Sequence, residues 1–245
     1  MSNRFLTGGN PFLQNGFKSV SGSSMTMTTQ GTMTVQGAIN KSFILFGLLL
    51  LTAVWSFQSP NMIILIGGAI LGLVIVLVSA FKREWSPFLA PAYALVEGLV
   101  VGSVSAIYAA QTGGIVLQAV SLTILVLFVM LVIQKTGWVP VTDKFRSGVI
   151  MATGGIALLY LITIILGFFH INIPYIHQSG PIGIIFSLGV IGIASLNLLL
   201  DFDNIIKGEQ YHAPKYMEWF SAMGLMITLI WLYFEMLRLL GKMRN

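Results

Sequence analysis

Seven long apolar stretches, almost free of charge, constrain this chain more than any other feature. They fall near residues 42–57, 62–81, 90–110, 114–134, 147–169, 181–203 and 216–240. A helix that crosses a bilayer needs about 20 predominantly apolar residues, because each adds about 1.5 Å of rise. Segments rich in breakers or polar residues separate the runs: QSPN, KREWSP, QTGG, KTGWVPVTDKFR, HINIPYIHQSGP and NIIKGEQYHAPK. Only 9% of the 245 residues are charged and 56% are hydrophobic, whereas a typical soluble domain carries about 25% charged residues to face water. The fold class expected is therefore an all-α membrane protein with seven transmembrane helices.

Composition also removes several functions. With no cysteine, disulfides, thiolate metal sites and cysteine nucleophiles are excluded. No nucleophile elbow, HExxH, phosphate loop or dinucleotide fingerprint is found, so no enzyme is expected and no cofactor. The net charge of +5 is spread singly between apolar runs, which is a membrane-topology pattern rather than a nucleic-acid surface. Residues 1–38 differ from the rest. Their stretch SVSGSSMTMTTQGTMTVQG is too polar to cross a bilayer, and it reads as a flexible cytoplasmic tail ahead of a transmembrane domain at 39–245. A packed plug or a partner-binding segment is the other reading of that tail.

Charge sets the orientation. Arg4, Lys18 and Lys41 precede the first run, Lys82 and Arg83 follow the second, Lys135, Lys144 and Arg146 follow the fourth, and Lys207 and Lys215 follow the sixth. The loops after the first, third and fifth runs hold no Lys or Arg. The positive-inside rule then puts the N-terminus in the cytoplasm. Arg238, Lys242 and Arg244 conflict with this, because seven crossings leave them outside. Either the last helix spans fully as a central element or it re-enters. A full span is favoured, since six earlier segments fix the topology.

Eight acids are present, and Glu84, Asp143 and Glu209 sit in loops. The other five, Glu97, Asp201, Asp203, Glu218 and Glu235, fall within or at the edges of the apolar runs. An ionisable group at membrane depth costs at least about 2.5–3.5 kcal/mol and normally faces the bundle interior or water. Four of them belong to the cytoplasmic half of three different helices, with Asn197 one turn before Asp201 on the same face. Such a cluster suits a proton or a hard cation held by oxygen ligands. Structural readings compete: Asp201 and Asp203 as helix-end residues, Glu218 at a helix N-terminus, and Glu235 paired with Arg238. Glu97, flanked by YALV and GLVVG, has no such explanation. His170 and His177 read as loop residues, and Trp55, Trp85 and Trp138 as interfacial anchors. Glycines such as Gly67-Gly68, Gly154-Gly155, Gly183, Gly189 and Gly192 are expected to allow close helix packing.

The chain resembles the Bax inhibitor-1 (transmembrane Bax inhibitor motif) family, in its bacterial YccA-like branch. The resemblance is carried by NPFLQNGF, APAYALVEGLVVGSVSAIY, LNLLLDFDNIIKG and APKYMEWFSAMGLMITLIWLYFEMLRLLG. It implies six helices around a central C-terminal seventh. It also implies a pH-sensitive calcium leak, gated by aspartates on the sixth and seventh spans. By this resemblance Asp203 takes the sixth-span role and Glu97 matches a third-helix motif. The seventh-span position is Thr228, which cannot ionise, so Glu218 and Asp201 become candidate partners and Asp203 with Glu218 the candidate calcium ligands. Two functions follow as expectations: a cation leak or proton-linked exchanger for calcium, or a regulator of another membrane protein such as a protease or stress factor.

Overall fold

A computed structural model describes residues 31–169 and 180–244. Most of the tail reading for residues 1–38, and the loop reading of His170 and His177, lie outside the described residues. Among the described residues, seven helices are each long and apolar enough to cross a membrane. They are α1 (Val35–Gln58), α2 (Met62–Phe81), α3 (Ser86–Gln111, after a single 3-10 turn at Arg83–Trp85), α4 (Ile115–Thr136), α5 (Asp143–Phe168), α6 (Pro181–Gln210) and α7 (Met217–Arg244). The polypeptide is a multi-pass membrane protein whose environment is the lipid bilayer.

Local chemistry sets the helix ends. The Thr34 side chain accepts from the Gly37 N–H to start α1, and Asn61 accepts from the N–H groups of Ile63 and Ile64 to start α2. Thr142 accepts from Phe145 N–H at the head of α5. Each cap satisfies donors that a first helical turn leaves free. Gly114 and Gly137 flank α4 at φ 76° and 68°, left-handed values that favour glycine.

The last helix is the most enclosed. Its backbone lies against α1, α3, α4 and α6, and these four also touch one another in the order α1, α3, α4, α6 and back to α1. The ring directly around α7 thus has four members. Helix α2 leans on α3 and α5 on α6, which leaves both mostly facing lipid. The tightest packing is between α1 and α3. A Cβ at Gly98 would run into the Leu49 carbonyl and Thr52 Oγ1, and one at Gly102 into the Ala53 carbonyl. Across the same contact Ser56 donates to the Leu99 carbonyl at 2.7 Å and its Oγ lies 2.6 Å from Ser103 Oγ. Small residues at four-residue spacing let two backbones meet in this way. The glycines expected to pack do so only in part: Gly68 meets Val100, but nothing lies within 4 Å of a Cβ at Gly67, Gly154, Gly155, Gly189 or Gly192.

The two ends of α7 fix its crossing. At its start Glu218 meets Thr34 and Lys215. At its end Arg244 donates to the Gly113 carbonyl at 3.0 Å, in the α3–α4 loop, and Lys242 to the Gly183 carbonyl at 3.0 Å, at the head of α6. Helix α7 therefore runs the full depth of the bundle, and the basic C-terminal residues sit at the end with the α3–α4 loop. Re-entry is excluded, and the three basic residues are held there by specific acceptors.

Candidate functional site: a polar seam between three helices

Helix α5 carries Arg146, Thr153 and Tyr160, and α7 carries Thr228, Glu235 and Lys242. Seven residues of α-helix return to within about 20° of the starting direction, so each trio lies on one face. Both faces look toward α6. At the α5 start, Arg146 pairs with Asp203 at 2.5 Å and donates to Asn204 Oδ1 at 2.7 Å, while Lys207 reaches the same Asp203 oxygen at 2.8 Å. Two residues earlier on α6, Asp201 accepts from the Thr228 hydroxyl at 2.6 Å. Next, Asn197 donates to Thr153 Oγ1 at 2.7 Å.

The outer half of the seam is charged as well. Glu235 is 1% exposed. Its Oε1 accepts from Tyr160 OH at 2.8 Å and from Arg238 at 2.7 Å, and Arg238 also donates to the Tyr160 oxygen at 2.5 Å. Oε2 of Glu235 is buried with no hydrogen-bond partner among the described residues. Beyond it the buried Lys242 ammonium donates to Ser187 Oγ at 2.9 Å and to the Gly183 carbonyl. Polar side chains from three helices thus follow one another from the α5 start to the α7 end, through an otherwise apolar bundle.

Of the five acids within or at the edges of the apolar runs, two have no ion pair among the described residues. Asp201 is one, with Thr228 as its partner. Glu97 is the other: it lies against α2, where a Cβ at Gly72 would come within 2.7 Å of its Oε2. Glu97 is on the α2–α3 side and does not join the seam.

A family model described as Bax inhibitor 1 like matches residues 10–245. The chain belongs to this family. Comparison with curated proteins gave no significant match. In this Bax inhibitor 1-like protein position 228 meets a different α6 carboxylate from the one the resemblance named. The resemblance gave the sixth-span role to Asp203, yet the α6 carboxylate that meets Thr228 is Asp201. Two residues along a helix rotate a side chain by about 200°, so Asp203 faces α5 instead. Nor are Asp203 and Glu218 brought together as calcium ligands. Asp203 is taken by Arg146 and Lys207. Glu218, fully buried, is taken by Lys215 just ahead of α7 at 2.9 Å and, from the start of α1, by Lys41 at 3.8 Å and the Thr34 N–H and hydroxyl at 3.1 Å. Among the described residues no group of three or more His, Asp or Glu could hold a metal. Glu235 does pair with Arg238, and it also meets Tyr160. Sequence reasoning used Arg146 and Lys242 only as topology charges and missed Thr153 and Tyr160 altogether. The signal that could have found them is the seven-residue spacing of polar groups in apolar runs.

Proposed function

We propose that this Bax inhibitor 1-like protein is a cation leak for calcium, with the polar seam of α5, α6 and α7 as its path and Asp201 as its charge-bearing centre. One observation carries the reading: Asp201 is a carboxylate between α6 and α7 that has a hydroxyl for a partner and, among the described residues, no paired cation. A hard cation that loses water gains most from carboxylate and other oxygen ligands, and Asp201, Thr228 and Asn197 offer such oxygens. Protonating Asp201 removes its charge, so flux rises with pH over the range in which that carboxyl titrates. Positive-inside charge supports a cytoplasmic N-terminus, and a bacterial inner membrane fits the YccA-like resemblance.

The test is flux into liposomes that hold the reconstituted protein and a calcium dye, across about pH 6 to 8. Asp201→Asn keeps the shape and removes the charge, so flux falls at least about tenfold, as for the loss of one charge-assisted ligand. Wild-type protein that stays folded and passes no calcium at any pH sinks the leak reading. A second reading, regulation of another membrane protein such as a protease, is favoured by the neutralised state of Asp203, Glu218 and Glu235 and by threonine at position 228. It gains if flux is absent and a membrane-protein partner co-purifies.

A further inference from the structure

The segment just before α1 is bound down more closely than any chain entry into a helix requires. Met33 N–H donates to the Ala213 carbonyl at 2.8 Å, and Thr32 makes an isolated antiparallel bridge with Pro214. Thr34 donates to Glu218 twice, from its N–H and its hydroxyl. Val35 N–H donates to Glu209 at 2.9 Å. All these acceptors belong to the end of α6, the α6–α7 connection or the first turn of α7. The strap is therefore fastened to the α6–α7 hairpin as well as to its own helix, which Thr34 caps.

Its one large side chain points inward. Met33 is 1% exposed and packs with Ala38, Ile205, Ala213 and Met217. It fills the space above Gly208, where a Cβ would lie 2.6 Å from the Met33 sulfur. Asp201, Ile205 and Gly208 are spaced by four and three residues, so they share one face of α6. That face runs from the carboxylate at Thr228, past the buried Ile205, to the methionine. Gly37 allows the same closeness in α1, since a Cβ there would collide with the Glu218 carboxylate. Lys41 and Lys215 hold that carboxylate from two sides.

We propose that residues 32–35 are a plug that closes the cytoplasmic end of the α6–α7 interface, with Met33 as the stopper and Glu218 as the latch. The proposal rests on the leak reading for what the plug controls, though the plug itself is testable without flux. Lifting the strap would expose Ile205 and open water access toward Asp201. The rest of α1 need not move, because its glycine and serine contacts with α3 begin only at Leu49.

The chain has no cysteine, so introduced thiols are unambiguous. In the full-length reconstituted protein, Ile205→Cys reports whether the plug is closed. A water-soluble thiol reagent labels it slowly. Adding Thr34→Ala or Met33→Ser speeds labelling roughly tenfold, as expected when a local opening loses one or two of its contacts. Unchanged labelling in both variants overturns the plug. A second arm uses Met33→Cys with Gly208→Cys: a Cβ at 208 lies 3.9 Å from Met33 Cγ, within side-chain reach for a disulfide. Oxidation blocks the fast labelling and reductant restores it in the same molecules, so misfolding is not the cause. In protein that leaks through Asp201, the cross-link lowers calcium flux and Met33→Ser raises it. Flux unchanged by both also overturns the plug. If no variant, wild type included, passes calcium, the leak reading fails while the labelling arm still decides the plug.

Discussion

At the level of single residues, the contact between Thr228 and Asp201 does most to define the seam. The Thr228 hydroxyl has one proton and gives it to Asp201 at 2.6 Å, with the Gly224 carbonyl a longer 3.2 Å away. Thr228→Val preserves the shape and removes the donor, leaving a carboxylate oxygen without a partner. The expected loss is about 1–3 kcal/mol, read as a lower unfolding midpoint in detergent. Thr228→Asp does something different. Two carboxyls at that separation share one proton and cannot both ionise without strong repulsion. Calcium flux in that variant should therefore depend more steeply on pH than in wild type. An unaltered pH profile, with the protein folded, would show that the position does not gate the path. Asp201 was singled out from sequence by depth, but its facing was not legible. Composition and span borders fix a helix residue to within a few positions, and two positions turn it to the opposite side.

The helices themselves were legible, and their ends less so. Hydropathy marks the part of a helix in the bilayer core, not the turns that continue into headgroups and water. Helix α1 begins at Val35, seven residues ahead of its apolar run, α3 at Ser86, four residues ahead of its run, and α6 runs on to Gln210 past the apolar run that ends near 203. Those extra turns hold the ion pairs of Lys41 and Lys207. Packing glycines were not separable from idle ones, because both occur in equally apolar runs and only the neighbour decides. The contrast is measurable. Gly98→Ala puts a methyl against a backbone carbonyl that cannot move without α1, so overpacking should cost about 1–3 kcal/mol. Gly154→Ala adds a methyl where nothing lies within 4 Å, and replacing glycine in a helix should be neutral or stabilising by up to about 1 kcal/mol. Thermal unfolding of both variants in one detergent checks the pair, and equal midpoints would contradict the α1–α3 packing. Helix α5 shows the opposite construction. Among the described residues its buried apolar side chain is Val149, and it is held to the bundle by the clasps at Arg146, Thr153 and Tyr160.

For the whole molecule, the sidedness of the chain joins sequence and structure most directly. The structure fixes relations without a membrane: Arg244 reaches Gly113 in the α3–α4 loop and Gln118 in the first turn of α4, and Glu218 at the other end of α7 reaches the start of α1. An odd number of crossings separates the two ends of the domain. Charge then says which side is which, since ten of the thirteen Lys and Arg residues lie before the first apolar run or in the three alternate gaps between runs. The remaining three oppose the positive-inside rule, but Arg238 is paired with Glu235, and Lys242 and Arg244 are bound to carbonyl, hydroxyl and amide oxygens. Their charges stay at the outer end because α7 is the enclosed helix, fixed by packing on four neighbours. Single cysteines at Gln111 and Met243 should therefore react with an impermeant thiol reagent applied to intact cells, and cysteine at Lys144 should react only after the membrane is opened. Labelling at 111 and 243 on opposite sides would contradict the crossing of α7. Labelling of all three with sides exchanged would keep the fold and reverse the orientation, and with it the end of the bundle at which the strap and Glu218 close the seam.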